Sequence, residues 1–289
     1  GKSLRDSFTE TFEELGGEIL QTNPIANNET LEDNAKAVIS SYDKKPDFVF
    51  FATYKTSGLE MLRQIRNSRY RAVTVIGGDD VGDAVFASRF INAGNDPEKM
   101  NNTYAASPLI FDVGSEGAQR FRDEYIEKYS EPPTWFSATT YDSVLVAVET
   151  MRKAGISGQS EELAKDREIL RDYLDEVDTP DEAIEGITGH IYFTGENNFV
   201  QPMAMGTFQD GKFISAPTQV AALEGHETDD DIEEGINSGI MVEVGDKCFY
   251  LTQIVYVGID INEFNNVDID GEHTFLTDFY LWFRYNGEL

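Results

Sequence analysis

The first hundred residues repeat one unit, an amphipathic helical period followed by a short apolar run, and that repeat constrains the fold more than any other feature. KSLRDSFTETFEELGG sets Leu4, Phe8, Phe12 and Leu15 on one helical face, with Ser3 and Asp6 spaced like a capping box and Gly16-Gly17 as a stop. GEILQT then predicts a short strand, ETLEDNAKAVISSY a helix with Leu31, Ala35, Val38 and Ile39 inward, and DFVFFA a fully buried strand. TSGLEMLRQIRNS, AVTVIGG and VGDAVFASRF continue as helix, buried strand and helix. Strands that are apolar without alternation are covered on both faces. Parallel neighbours need crossovers, and right-handed crossovers deliver helices to both sides of the sheet. The expected fold is therefore α/β: an open, doubly wound, mostly parallel sheet. The chain opens on a helix, at a Gly, with no strand before it, so a preceding first lobe is expected to be missing.

Two further helices are predicted over SEGAQRFRDEYIEKYSEPP and WFSATTYDSVLVAVETMRKAG, the second apolar along most of its length and hence expected to be buried. SEELAKDREILRDYLDEV carries a narrow inner stripe of Leu163, Ile169 or Leu170, and Leu174. From Gly189 the pattern switches to period 2, with Asp210-Gly211 as a hairpin signal between Phe208 and Phe213. EGHETDDDIEEGINSG, residues 224–239, is acidic, punctuated by Gly and poor in large apolar residues, which marks a linker. The expected organisation is a ligand-binding domain over 1–223, the linker, and a second domain beginning at 240.

Composition excludes several function classes. Lys+Arg 23 against Asp+Glu 53 gives a formal charge of −30, which repels nucleic acid and anionic membrane surfaces. No apolar run approaches the roughly 20 residues a membrane helix needs, and the first residues lack a signal-peptide profile. The single Cys248 precludes an internal disulfide, and His190, His226 and His273 are too far apart for a metal-ligand pattern. No dinucleotide-binding, phosphate-loop, nucleophile-elbow or zinc-protease motif occurs, so neither an enzyme nor a cofactor is expected.

In an open parallel sheet, ligands sit beyond the carboxyl ends of the strands. The residues there are Thr53, Tyr54 and Lys55 after DFVFFA, and Gly78, Asp79 and Asp80 after AVTVIGG. Tyr54 offers a ring and a hydroxyl, and Asp79 a carboxylate able to pair with an ammonium, so the set suits a small zwitterion. Pattern alone leaves Asp79 open between that role and capping the helix that follows, and leaves Tyr54 open between ligand wall and ordinary loop aromatic.

KPDFVFFATYKTSGLEMLRQIRNS, VIGGDDVGD, ATTYDSVLVAVETMRKAG and GITGHIYFTGENNFVQPMAMGTFQDGKF together resemble, in order and spacing, the type I periplasmic binding proteins of the branched-chain amino acid group, over residues 1 to about 222. By that resemblance Asp79 meets the ammonium of an amino-acid ligand and Tyr54 lines the cleft; Thr53 and Asp80, beside them at the strand ends, complete the candidate set. The groups that grip the ligand carboxylate would lie in the missing first lobe, and the adjacent Asp80 leaves the acid ambiguous by one position. The setting implied is periplasmic or extracellular.

VYVGIDINEF and TFLTDFYLWFRY alternate as two long strands joined by a polar turn, which is a β-hairpin. A hairpin alone is marginal in water, so it either extends the preceding lobe or begins a β-sandwich. Val257-Gly258-Ile259, Val267-Asp268, Thr274-Phe275, the run Asp278 to Arg284 and Gly287-Glu288-Leu289 are similar to the first two strands of the extracellular domain of prokaryotic pentameric ligand-gated ion channels. That resemblance implies a membrane-anchored homopentamer in which ligand closure biases a channel. The alternative is a binding component of an amino-acid transporter.

Overall fold

A computed structural model describes residues 1–25, 30–195, 198–199, 201, 203–223, 226–245, 247–265 and 276–285. They divide into two compact units, Gly1–Ser215 and Ala216–Leu289.

The first unit is built on a five-stranded sheet. Helices α1 (Lys2–Glu14) and α2 (Leu31–Ser40) lead into β1 (Phe48–Phe51), α3 (Lys55–Arg66), β2 (Thr74–Gly77), α4 (Ala84–Asn92) and β3 (Thr103–Ser107). β1 pairs with β2 and β2 with β3, both in parallel, as the buried apolar runs and their crossover helices require. After α5 (Glu116–Tyr129), α6 (Trp135–Ala154), α7 (Leu163–Asp175) and the two-residue strands β4 (Ile184–Glu185) and β5 (His190–Ile191), the chain returns to the sheet as β6 (Ala204–Gln209) and β7 (Lys212–Ser215). β6 is antiparallel to β3 and β7 to β6, so the order is β1-β2-β3-β6-β7 and the sheet is mixed. The predicted hairpin is present: Phe208 faces Phe213, and Asp210 and Gly211 have φ of 51° and 76°. Positive φ at both central residues matches the right-handed twist of the flanking strands. The core lies between this sheet and α3 and α4, around Leu62, Ile65, Val75, Phe86, Phe90 and Phe208.

Five expectations for this unit are corrected. Residues 17–22 form no strand: they take part in no ladder with a described strand. Helix α1 starts on Gly1 with no side-chain cap, which leaves Ser3 within its first turn and Ser3-Asp6 outside the capping position. β1 is half-buried over Phe48–Phe50, because it is an edge strand whose rings meet Phe8 and Phe12 of α1, with Phe8 and Phe50 stacked at 3.8 Å. Helix α6 is not buried: Tyr141, Val144, Val148 and Met151 form an exposed stripe, since α7 covers only part of its circumference. Leu163 of α7 is exposed as well, while Leu170 and Leu174 line a groove of about 260 Å³ against α6.

The second unit opens with β8 (Thr218–Ala222), α8 (Asp229–Ser238), β9 (Met241–Val244) and β10 (Lys247–Gln253), in an antiparallel sheet ordered β8-β10-β9. The expected extended linker over 224–239 is therefore replaced, from Asp229 to Ser238, by a helix. Thr228 and Asp231 form a reciprocal capping box, Gly239 closes the helix at φ 75°, and three aspartates occupy the first turn. Acidity at a helix N-terminus complements the helix dipole, so the charge that suggested a linker supports α8. β11 (Tyr256–Asn265) and β12 (Leu276–Arg284) then form the expected antiparallel hairpin, with Ile259 opposite Leu281 and an irregularity between Ile261 and Glu263. Its turn, including Val267-Asp268, and the residues Thr274-Phe275 and Gly287-Glu288-Leu289 lie outside the described residues. Among the described residues, no helix is long and apolar enough to cross a membrane.

Candidate functional site

The register of β1 against β2 puts Phe51 beside Gly77, so the loops that follow leave the sheet side by side at one carboxyl edge. Thr53 and Tyr54 lie two and three residues beyond Phe51, and Asp79 and Asp80 two and three beyond Gly77. All four candidate residues thus share the edge where a doubly wound sheet holds ligands. Tyr54 is the N-cap residue of α3 in extended conformation, makes no capping bond, and leaves its side chain 74% exposed.

The β2–α4 turn is tightly organised. Val81 N–H donates to the Gly78 carbonyl at 3.0 Å and Gly82 N–H to the Asp79 carbonyl at 3.2 Å. A Cβ at Gly82 would come within 2.7 Å of the Ala106 carbonyl oxygen in β3, a backbone clash that no side-chain motion relieves. Trp135, the first residue of α6, donates its indole N–H to the Asp79 carbonyl at 3.1 Å. The backbone of Asp79 is therefore fixed from two sides. Neither the Asp79 nor the Asp80 carboxylate has a hydrogen-bond or ion-pair partner among the described residues.

Asp79 does not cap α4. That position belongs to Asp83, which is buried, and whose Oδ1 accepts from Phe86 N–H at 2.6 Å. The other Asp83 oxygen pairs with Lys55 Nζ. Burial, and then the neighbouring charge of Asp79, raise the Asp80 carboxyl above its ordinary value, while Lys55 pulls it down and Asp83 pushes it up. The edge therefore carries two unpartnered acids beside a cation that is already engaged, which favours a positively charged ligand group.

The sequence pattern singled out Tyr54 and the two acids as candidates and gave no role to Asp83 or Trp135. Asp83 sits three residues before Phe86 in VGDAVF, an N-cap spacing that could have been read. Trp135 carried only a general signal, an indole N–H that needs a partner when partly buried.

A mixed sheet with helices on both faces and ligand-type groups at its carboxyl edge defines a binding lobe. The chain belongs to the periplasmic binding protein family, whose model matches residues 1–212. Among solved structures it is similar to the branched-chain amino acid transporter substrate binding protein LivJ from Streptococcus pneumoniae in complex with isoleucine, at 26% identity and a TM-score of 0.59, covering 73% of this chain and 54% of that one. It shares its fold with the leucine binding protein LivK from Thermotoga maritima, at 19% identity and 0.58, covering 74% and 55%. A solute binding protein from R. palustris in complex with benzoate has the same fold at 19% and 0.56, covering 73% and 52%. The chain thus spans about half the length of these relatives. No curated protein matches it.

Proposed function

We propose that the first unit recognises a small α-amino acid at the carboxyl edge of β1 and β2, outside the cytoplasm, as the sensing or capturing part of a larger protein. The observation that carries this reading is the pair of unpartnered carboxylates, Asp79 and Asp80, beside the engaged cation Lys55. An ammonium brought to Asp79 gains a charge-assisted hydrogen bond, Tyr54 supplies an aromatic wall, and Thr53 and Asp80 flank the contact. Such a protein binds and does not catalyse, and closure around the ligand is driven by the ligand's higher affinity for the closed form. Likeness to LivJ, solved with isoleucine, supports the amino-acid class. A calorimetric panel of amino acids tests it: a binder among the aliphatic members supports the reading, and no binder in the panel overturns it.

For the use made of that binding, two readings have separate support. The hairpin β11–β12 and its likeness to the opening strands of a pentameric channel's extracellular domain favour coupling to a membrane-anchored homopentamer. On that reading, residues 1–223 bind the ligand and residues 240–289 begin a β-sandwich. The transporter relatives favour a substrate-binding component that serves a permease. The gene beyond Leu289 decides between them. Four membrane helices after a β-rich stretch support the channel, and a stop codon close to Leu289 overturns it.

A further inference from the structure

We infer that Asp83 is a specificity-determining positioning residue: by holding Lys55 in an ion pair it keeps the β1–β2 edge anionic, and so selects ligands that present an ammonium group. This rests on the amino-acid reading of the edge and extends it to a residue that does not itself meet the ligand.

Lys55 directly follows Tyr54, so its ammonium starts among the candidate binding residues. Left unpaired, it would neutralise one of the two acids and compete with the ligand's own ammonium. Instead its side chain is 18% exposed and that of Asp83 4% exposed, joined Nζ to Oδ2. Asp83 does two jobs with its two oxygens, since Oδ1 caps α4 through Phe86 N–H. A carboxylate fixed by a helix cap is a rigid anchor, whereas a lysine side chain is long and flexible, so the pair sits where Asp83 places it. Breaking a partly buried pair by removing one partner strands the other charge, which must then move toward whatever acid is near. One acid within reach of its charge is Asp80, which feels Lys55 and Asp83 in opposite directions. With the pair intact these two influences oppose each other at the edge and the charge of Asp79 and Asp80 is left to the ligand.

The variant Asp83→Asn isolates the charge, because an asparagine amide oxygen is as good a helix cap as an aspartate. Calorimetry on the intact protein would use three probes: isoleucine, its methyl ester, which keeps the ammonium without a carboxylate, and 3-methylpentanoate, which keeps the carboxylate without the ammonium. In Asp83→Asn the ester should bind about tenfold more weakly relative to 3-methylpentanoate than in the unmodified protein, as expected when a nearby charge is unbalanced. The double variant Asp83→Asn with Lys55→Met removes one charge of each sign, and should restore the original preference. An unchanged preference in Asp83→Asn overturns the inference. So does a double variant no better than the single one, since a merely structural role for Asp83 predicts that result. If the unmodified protein binds none of the three probes, the amino-acid reading falls and the selection with it. Acylation of Lys55 by an N-hydroxysuccinimide ester, followed by mass spectrometry, then decides the pair on its own. Faster labelling in Asp83→Asn supports the hold of Asp83 on Lys55, and equal labelling overturns it.

Discussion

Arg66 does for the opposite end of the sheet what the two aspartates leave undone at the carboxyl edge: every hydrogen-bonding direction of its charge is used. Its guanidinium is buried and donates to the carbonyls of Lys99, Arg71, Val73, Asn101 and Asn102 and to Thr103 Oγ1, which fastens α3 to the segments entering β2 and β3. Burial lowers its pKa, and no carboxylate is needed because converging carbonyl dipoles take the anion's place. Replacing Arg66 by Met should cost about 3 kcal/mol in a denaturant titration, since several buried carbonyls lose their donor at once. A loss near zero would show that water replaces the guanidinium. Asp80 is the contrasting case. With its folded-state pKa raised, the native state holds its proton more tightly than the unfolded chain, so its contribution favours folding more as pH falls through the raised value. Ligand binding has the other sign: an ammonium is favoured by carboxylates, so a small part of the affinity, no larger than the contribution of Asp80 itself, should be lost as pH drops through that value. Asp80→Asn should remove this loss, and a pH profile of affinity unaffected by the substitution would contradict the assignment.

At the scale of elements, the parts legible in the sequence are those where one signal dominates. Continuous apolar runs gave β1, β2 and their crossovers, and Asp210-Gly211 gave the β6–β7 turn. Elements were misjudged where a second physical effect decided the outcome. Residues 17–22 have strand composition, but pairing is a property of neighbours that a single segment does not encode. Helix α6 is apolar on a wide arc, and apolarity says what a face can bury without saying that anything covers it. Helix α8 was obscured by its charge, although Ile232 and Ile236 four residues apart, Thr228 with Asp231, and Gly239 formed a complete start and stop. Thr228→Ala should therefore destabilise the second unit by about 1 kcal/mol, the usual worth of an N-cap, measured by chemical unfolding. No change would mean that α8 contributes little to the unit. Within the first unit, Asp142 of α6 is buried and accepts from Ile187 N–H, Thr188 N–H and Thr188 Oγ1 at 2.7 to 2.8 Å, which ties the β4–β5 hairpin to the helix. The shared edge position of Tyr54, Asp79 and Asp80 was legible because the order of strands and crossovers fixes which loops leave the sheet together. Asp83 and Trp135 were harder to find because their roles depend on Lys55 and the Asp79 carbonyl, partners 28 and 56 residues away.

The whole molecule carries a net charge of −30, which opposes its own compaction. Salt should relieve this: raising ionic strength from about 0.01 M to 0.15 M shortens the screening length from about 30 Å to 8 Å and should raise the melting temperature. A fall over the same range would mean that the surface charges are paired well enough to lose more than they gain. The same excess of acid extends to the β1–β2 edge, but there it is placed, with Asp79 held through its backbone by Trp135 and Gly82 and the neighbouring Lys55 held by Asp83. Recognition of an ammonium by Asp79 is the claim on which the functional account depends. The most direct measurement is calorimetry of Asp79→Ala and Asp80→Ala on the intact protein, using the tightest amino acid of the panel. The account predicts a loss of about 2 to 5 kcal/mol for Asp79→Ala, because the ligand's ammonium is left desolvated and unpaired, and a much smaller loss for Asp80→Ala. Unchanged affinity in Asp79→Ala would contradict it.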